Sequence, residues 1–363
     1  MGFFYKHIIH PLLSGTLGKK SFSNNPYIGM IIDADENDVI ADELFRVSLA
    51  YHEGQFMLPQ SNKKAMEYCL KAAERGHAVA QLFAAQWLMR YNDDHSDDVL
   101  GWLMKAAEQG ERQSMYNIGI SYHRGDIDGT TNVEKSNEMF RGSAERGYDA
   151  AFPRMAMIYC NGEGVKKNID IAKYWAFLEF ANLDEASRSQ SLLHHLIEEA
   201  DIIDGNKLNH NSIIEKAANA GERDAINNLA ESLFGSSNKE ECIAKLSEAA
   251  NLGHPIAQCN LARHYLQEDI KDYEKAFMLF QQAKEQNFEG GFYGIALMYY
   301  QGLGRDKDVA KAWHFLEPCI NLGNTEARRL LATMCMNNEM QEILPDKVMR
   351  GPHYMELASI NVT

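Results

Sequence analysis

A block ending in Lys-Ala-Ala or a close variant, one or two polar residues and Gly recurs along most of this chain. Lys71-Ala72-Ala73-Glu74-Arg75-Gly76 is echoed by Lys105-Ala106-Ala107-Glu108-Gln109-Gly110, Ser143-Ala144-Glu145-Arg146-Gly147, Lys216-Ala217-Ala218-Asn219-Ala220-Gly221 and Glu248-Ala249-Ala250-Asn251-Leu252-Gly253. The steps between successive closing glycines are 34, 37, 74 (two repeats) and 32 residues. A sequence with this period is built from supersecondary units, each of which buries its apolar face by stacking on the next. The expected architecture is a solenoid of helix pairs.

From about residue 39, apolar residues recur at spacings of three and four, punctuated by glycine or a short polar linker. Gly290 to Tyr300 reads as a first helix, Gln301-Gly302-Leu303-Gly304-Arg305-Asp306 as a loop, and Lys307 to Asn321 as a second helix closed at Gly323. Met155 to Tyr159, Asn161-Gly162-Glu163-Gly164-Val165 and Asp170 to Trp175 follow the same plan. Glycine permits a positive φ at the end of the first helix, and the short loop turns the chain back on itself. The fold class expected is all-α, an α/α superhelix of about eight to nine helix-turn-helix repeats.

With 45% hydrophobic and 24% charged residues in 363, the chain can bury a large core. Its net charge of -15 argues against nucleic acid as the main partner and makes a basic peptide or basic protein surface easier to accommodate. The six cysteines, at 69, 160, 242, 259, 319 and 335, form no CxxC and no regular pair within a repeat, so free thiols in a reducing compartment fit best. No run of about 18 apolar residues predicts a membrane-spanning helix. His7, His10 and Pro11 interrupt the apolar stretch from Phe3 to Leu13, so no secretory signal is expected.

Residues 1 to 32 carry only Lys6, Lys19 and Lys20 as formal charges. They read as a cap over the first repeat, with a membrane-surface or targeting segment as the alternative. The expected organisation is a non-repeat segment at 1–38, the repeat array at 39–337 and a C-terminal cap at 338–363. Between Asn182 and Gly221 the first helix of the expected fifth repeat is replaced by a stretch with Leu192, Leu193, Leu196, Ile197, Ala200 and Ile203 on one face. That reads as a longer helix in a degenerate repeat at about 183–221.

Ile118-Gly119-Ile120-Ser121-Tyr122 with Gly125, Leu261 to Tyr265, Ile295 to Tyr299 with Gly302, and Lys64-Ala65-Met66-Glu67-Tyr68 carry a family resemblance. The pattern of a small residue, Leu, Gly/Ala, Tyr, Gly-x-Gly, then Lys-Ala, an aromatic residue and Lys-Ala-Ala-x-x-Gly resembles the Sel-one-like repeat (SLR) family, relatives of tetratricopeptide repeats. The resemblance covers roughly residues 39 to 337. It implies a non-enzymatic adaptor or scaffold that binds another protein or an extended peptide, with no cofactor. A cytoplasmic bacterial regulator, or an immunity protein masking a secreted toxin, is one specific role in keeping with it.

Candidate chemistry competes with simpler structural roles. Tyr51, Tyr122, Tyr159, Tyr265 and Tyr299 could form a stacking ladder for a ligand, but each occupies the consensus position that packs the paired helices, as do Trp102, Trp175 and Phe315. Ser61 to Lys64 and Ser236 to Lys239 match the Ser-x-x-Lys nucleophile pattern, yet each serine stands where a second helix begins and suits an N-cap. His194, His195, Glu198 and Glu199 could share a metal across one helical turn but lack His-Glu-x-x-His spacing and a third ligand. The enzymatic alternative, a penicillin-binding hydrolase of the cysteine-rich SLR branch, conflicts with Ala73, Ala107, Ala144 and Ala218 at a position where that branch carries cysteine. A third reading is a peripheral membrane adaptor anchored by residues 1 to 20.

If the helices are disposed as in tetratricopeptide repeats, three registers face the concave side. They are the residue after the consensus Gly/Ala, the residue after the consensus Tyr and the residue two after the opening Ala/Gly. That set includes Phe45, His52, Gln86, Met89, Tyr116, His123, Met157, Arg263, Tyr293, Tyr300 and Arg329. Aromatic residues, Met and Arg suit a protein-binding surface, and the expectation is that a partner docks there.

Overall fold

The computed structural model describes residues 40–54, 58–91, 96–127, 129–183, 192–196, 202–203, 207–233, 238–267, 270–340 and 343. The expected N-terminal cap, and the C-terminal one beyond residue 343, lie outside the described residues. The chain divides into two compact units. Unit 1 runs to Lys105 and resumes at Ile295; unit 2 is Ala106–Gly294.

Helices in chain order are α1 (Ala41–Glu53), α2 (Asn62–Glu74), α3 (Ala78–Tyr91), α4 (Ser96–Glu108), α5 (Arg112–Arg124), α6 (Val133–Glu145), α7 (Ala151–Asn161), α8 (Ile169–Asn182) and α9 (Leu192–Leu196). After them come α10 (His210–Asn219), α11 (Arg223–Ser232), α12 (Lys239–Asn251), α13 (Pro255–Tyr265), α14 (Tyr273–Glu285), α15 (Glu289–Gln301), α16 (Val309–Asn321) and α17 (Thr325–Met336). The fold is an all-α helical-repeat array, and α1 with α2, α5 with α6, α7 with α8, α11 with α12 and α13 with α14 pack as pairs.

Each recurring block closes its second helix in the same way. At the end of α4 the Gly110 N–H donates to the Ala107 carbonyl at 2.9 Å and the Glu111 N–H to the Ala106 carbonyl at 3.0 Å. This arrangement needs a left-handed residue, and Gly110 has φ +87°. Two of the described second helices end without glycine: α8, where Leu183 has φ -82° and makes no such turn, and α14. There Asn287 takes φ 54°, the residue type that best tolerates that conformation after Gly.

The degenerate fifth repeat departs from expectation. The described part of the stretch read as a longer helix is α9, Leu192–Leu196, while Ile202–Ile203 pairs antiparallel with Lys207–Leu208 as a two-residue ladder. Ile203 therefore belongs to a strand. Ile202 and Ile203 are β-branched, and that favours the extended backbone over the helical spacing at this point. Ile197 and Ala200 lie outside the described residues.

Unit 2 is centred on buried Phe140, Met155, Ile158, Tyr174, Trp175, Ile213 and Ile226. Gly119 leaves room for the ring of Phe140, since a Cβ there would stand 2.9 Å from it. Polar contacts then join repeats distant in sequence. Arg141 Nη1 lies 2.7 Å from Glu222 Oε1, and within the sixth repeat Arg223 Nη1 donates to the Leu252 and Gly253 carbonyls at 3.1 and 3.0 Å. Arg146 Nη2 donates to the Gln286 carbonyl at 2.7 Å. Burial pulls the Arg146 guanidinium below its ordinary value; at Arg141 burial pulls the same way, but the Glu222 carboxylate overcomes it and holds the group above its own.

Unit 1 has its core in Leu44, Phe45, Val47, Tyr51, Cys69 and a set of alanines, with Trp102 packed against it. Its first and last described helices are joined by an ion pair: Arg328 Nη2, in α17, is 2.8 Å from Asp42 Oδ1, in α1.

Candidate functional site

In five repeats the consensus tyrosine lies at the loop between the paired helices, and one of the two Ser-x-x-Lys matches falls at such a loop. The Tyr51 carbonyl accepts the Ser61 N–H at 2.8 Å, and the same bond joins Asn132 to Tyr122 (2.9 Å), Asn168 to Tyr159 (3.0 Å), Asp272 to Tyr265 (3.0 Å) and Asp308 to Tyr299 (3.0 Å). The side chain of that residue then caps the second helix, with Ser61 Oγ accepting from Lys64 N at 3.4 Å and Asp308 Oδ1 from Lys311 N at 2.9 Å. The lysine three residues past the cap lies over the tyrosine ring, with Nζ 4.9 Å from the Tyr51 centroid for Lys64, 5.1 Å from Tyr122 for Lys135, 5.2 Å from Tyr265 for Lys275 and 5.4 Å from Tyr299 for Lys311. Ser61 and Lys64 thus hold one copy of a joint that other repeats build with Asn or Asp. Ser236 lies outside the described residues.

The tyrosines are partly core. Tyr51 is buried while Tyr122, Tyr159, Tyr265 and Tyr299 are half-buried. Trp175 is fully buried against Tyr174 and Phe152, and Phe315 stacks on Tyr299 at 5.9 Å.

The three registers expected to face a partner separate by burial. In the register two after the opening small residue, Phe45 is 8% exposed and packs on His77 at 4.6 Å and Phe83 at 5.5 Å. Tyr116 is half-buried between Phe140 and Tyr148, and Tyr293 and Arg329 are half-buried as well, with Arg329 Nη1 2.6 Å from Glu326 Oε1. This register faces the packing between helices, and Phe45 belongs to the core of unit 1. The register after the small residue holds half-buried Gln86, Met157 at 43% exposure and exposed Arg263. The register after the tyrosine holds half-buried His52 and Tyr300, exposed His123 and Met89 at 64%.

In unit 2 neighbouring first helices are bridged beside these exposed positions. Arg154 Nη2 lies 3.3 Å from His123 Nδ1 and 2.8 Å from Glu163 Oε2, and its guanidinium covers the Phe140 ring at 5.2 Å. Asn260 Nδ2 donates to Glu231 Oε1 at 3.4 Å, and Arg263 Nη1 donates to Asn260 Oδ1 at 2.9 Å. Arg154 and Asn260 share a fourth register, two before the consensus small residue, which sequence reasoning passed over. Their polarity at an otherwise apolar-flanked position was the available signal. In unit 1, Tyr300 Oη accepts from Asn337 Nδ2 at 3.2 Å beneath Lys307 Nζ, and burial, with Glu339 close by, raises its phenol above the ordinary value.

Among the described residues no group of three or more His, Cys, Asp or Glu side chains is placed to hold a metal ion. Of the His194 to Glu199 set, His195 is exposed, and Glu198 and Glu199 lie outside the described residues. No helix among the described residues is long and apolar enough to cross a membrane.

The family model for the Sel1 repeat matches five times, at residues 44–77, 112–148, 154–177, 255–288 and 292–324. The chain is a Sel1-repeat protein. Sel1 repeats form a protein-interaction scaffold fold. Among solved structures the chain is similar to a protective antigen of uropathogenic Escherichia coli strains displaying an SLR fold, at 20% identity over 89% of this chain and 73% of that one, with a TM-score of 0.38. It is also similar to a Sel1 repeat protein from Oxalobacter formigenes, at 20% identity over 90% and 85%, TM-score 0.31. An immunity protein from Pseudomonas aeruginosa is similar at 16% identity over 59% and 82%, TM-score 0.32. No curated protein matches the chain.

The Sel1 matches pass over residues 178–254, where α11 and α12 nonetheless pack together and close at Gly253 with φ +82°. All six cysteines of this Sel1-repeat protein are free thiols. Cys160 alone escapes full burial, and burial pushes the thiols of Cys69 and Cys259 up to about 12.

Proposed function

We propose that this Sel1-repeat protein is a non-enzymatic scaffold that binds a partner protein through the exposed registers of its first helices. In unit 2 these are His123, Met157 and Arg263, flanked by Arg154 and Asn260; in unit 1 they are Met89, with His52 and Tyr300 beside the helix ends. The reading rests on one observation. Met157 and Arg263 stand exposed at the same register of two different repeats, where a core position would hold a buried apolar side chain. Exposed Met supplies an adaptable apolar contact and Arg a directional one.

A basic partner, and a role as a bacterial cytoplasmic regulator or toxin antidote, belong to the same proposal. Their support is the balance of 51 acidic against 36 basic residues, which favours rapid encounter with a positive surface. Photo-cross-linking tests the surface. A benzophenone amino acid is placed at position 157, and in a second protein at 278, where exposed Met278 lies on the second helix α14. Capture of one partner from 157 and none from 278 supports the reading; capture from 278 alone overturns it.

A further inference from the structure

Two closing glycines are followed directly by histidine, as Gly76-His77 and Gly253-His254, and both imidazoles are buried. In each, Nδ1 accepts a backbone N–H of the next helix, from Ala80 at 3.1 Å and Ala257 at 3.3 Å. In each, Nε2 meets a buried aspartate on the first helix of the preceding repeat, Asp42 Oδ1 at 3.4 Å and Asp224 Oδ1 at 2.9 Å. A ring nitrogen that accepts from an N–H carries no proton, so Nε2–H donates to the aspartate and the imidazole is neutral. One side chain therefore caps a helix and clasps the repeat before it.

The surroundings of the two clasps differ. Asp224 is shared with the Tyr174 hydroxyl, which donates to Oδ2 at 2.5 Å and accepts from Asn228 Nδ2. Asp42 is shared with two cations, Arg46 Nε from α1 at 2.8 Å and Arg328 Nη2 from α17 at 2.8 Å. The charged and titratable groups facing His77 are thus Asp42 and Arg46 on α1 and Arg328 on α17, and the Phe45 ring lies 4.6 Å away. A proton on Nδ1 would point at the Ala80 N–H and set a third cation around one buried carboxylate.

We propose that the Asp42–His77 clasp is an acid-sensitive joint of unit 1, at which protonation of His77 removes the cap of α3 and loosens α1, α3 and α17 together. Burial pulls the His77 imidazole below its ordinary value, against the opposing pull of Asp42, and Arg328 and Arg46 act in the same direction as burial. Because the folded value lies below the unfolded one, the stabilisation is complete above about pH 6.5 and is lost as pH falls through the unfolded value toward the folded one.

Nitrogen-15 NMR of the imidazoles and amide hydrogen exchange, both on the full chain between pH 7.5 and 5, test the joint. The expected result is a His77 ring unprotonated at Nδ1 at pH 7.5, titrating below a free imidazole. Ala80 exchange, corrected for its intrinsic pH dependence, should accelerate as the pH falls, by up to about tenfold for each unit by which the ring is shifted. His77→Asn provides the second arm. Asn324 already caps α17 in this way, accepting from Ala327 N at 2.8 Å, so asparagine keeps the cap but cannot titrate. That variant should protect Ala80 at pH 7.5 and lose the acid response. The proposal is overturned if His77 titrates as a free imidazole while Ala80 protection stays constant, or if His77→Asn retains the full response.

Discussion

Arg223 grips Glu145 with two parallel hydrogen bonds across 78 residues of sequence, Nε 2.7 Å from Oε1 and Nη2 2.8 Å from Oε2. One turn earlier on α6, the crossed pair Arg141–Glu222 repeats the arrangement with the signs exchanged, and Arg141 also donates to the Tyr159 hydroxyl. Both carboxylates are buried, while both guanidinium groups keep partial contact with solvent. The contacts tie the third repeat of the array to the sixth and bypass the degenerate fifth.

Removing one member of this set leaves the other's charge without its match. Glu145→Gln should therefore cost about 3 kcal/mol, the low end for a broken buried pair because Arg223 is partly exposed. The double variant Glu145→Gln with Arg223→Met should recover part of that loss. Urea denaturation of the three proteins measures the coupling, and a Glu145→Gln midpoint equal to the parent's would show that the pair adds nothing.

Gly76 and Gly110 have nearly the same backbone, φ +88° and +87°, but different surroundings. A Cβ on Gly76 meets nothing within 4 Å, whereas one on Gly110 would stand 2.3 Å from the Asn287 carbonyl oxygen. Gly76→Ala should cost about 1 to 2 kcal/mol from the left-handed backbone alone. Gly110→Ala should cost at least about 1 to 3 kcal/mol more, as overpacking adds to it. Thermal melts rank the two, and equal losses would mean that the Gly110 turn does not sit against Asn287 in solution.

Five of the six thiols are buried, so Cys160 should be the first to react with a water-soluble thiol reagent in the native state. Burial pushes Cys69 and Cys259 up to about 12 and Cys335 to about 11, which leaves almost no thiolate on them at pH 8. Mass spectrometry after brief labelling should find one modified site, with the remaining five appearing only in denaturant.

Phe45 and Met157 are equivalent candidates in sequence, yet their burial sets them apart. Phe45→Ala should lower stability by about 3 kcal/mol or more, as for other buried aromatic truncations. Met157→Ala and Arg263→Ala should leave the melting temperature nearly unchanged and weaken a captured partner by roughly thirtyfold, about 2 kcal/mol. Surface plasmon resonance beside a thermal melt separates the effects. A destabilised Met157→Ala would place that side chain in the core.

The repeat is legible because its determinants are local. The closing glycines, the N-cap residues and the 3.6-residue apolar spacing act within a few residues, and the sequence carries them in register, so helix pairs and their loops follow from the amino-acid order alone. Asn287 in place of glycine shows that even a departure stays readable in its chemistry. The registers proposed to meet a partner are half legible: the sequence marks which residues share a register, but which register turns inward depends on how one helix is rotated against the next. That rotation buries Phe45 and leaves Met157 in solvent. The Glu145–Arg223 and Asp42–Arg328 contacts could not be read at all, since charges 78 and 286 residues apart carry no local signal. Only the packing of whole repeats within each unit brings them to hydrogen-bonding distance, and burial then makes each depend on its partner.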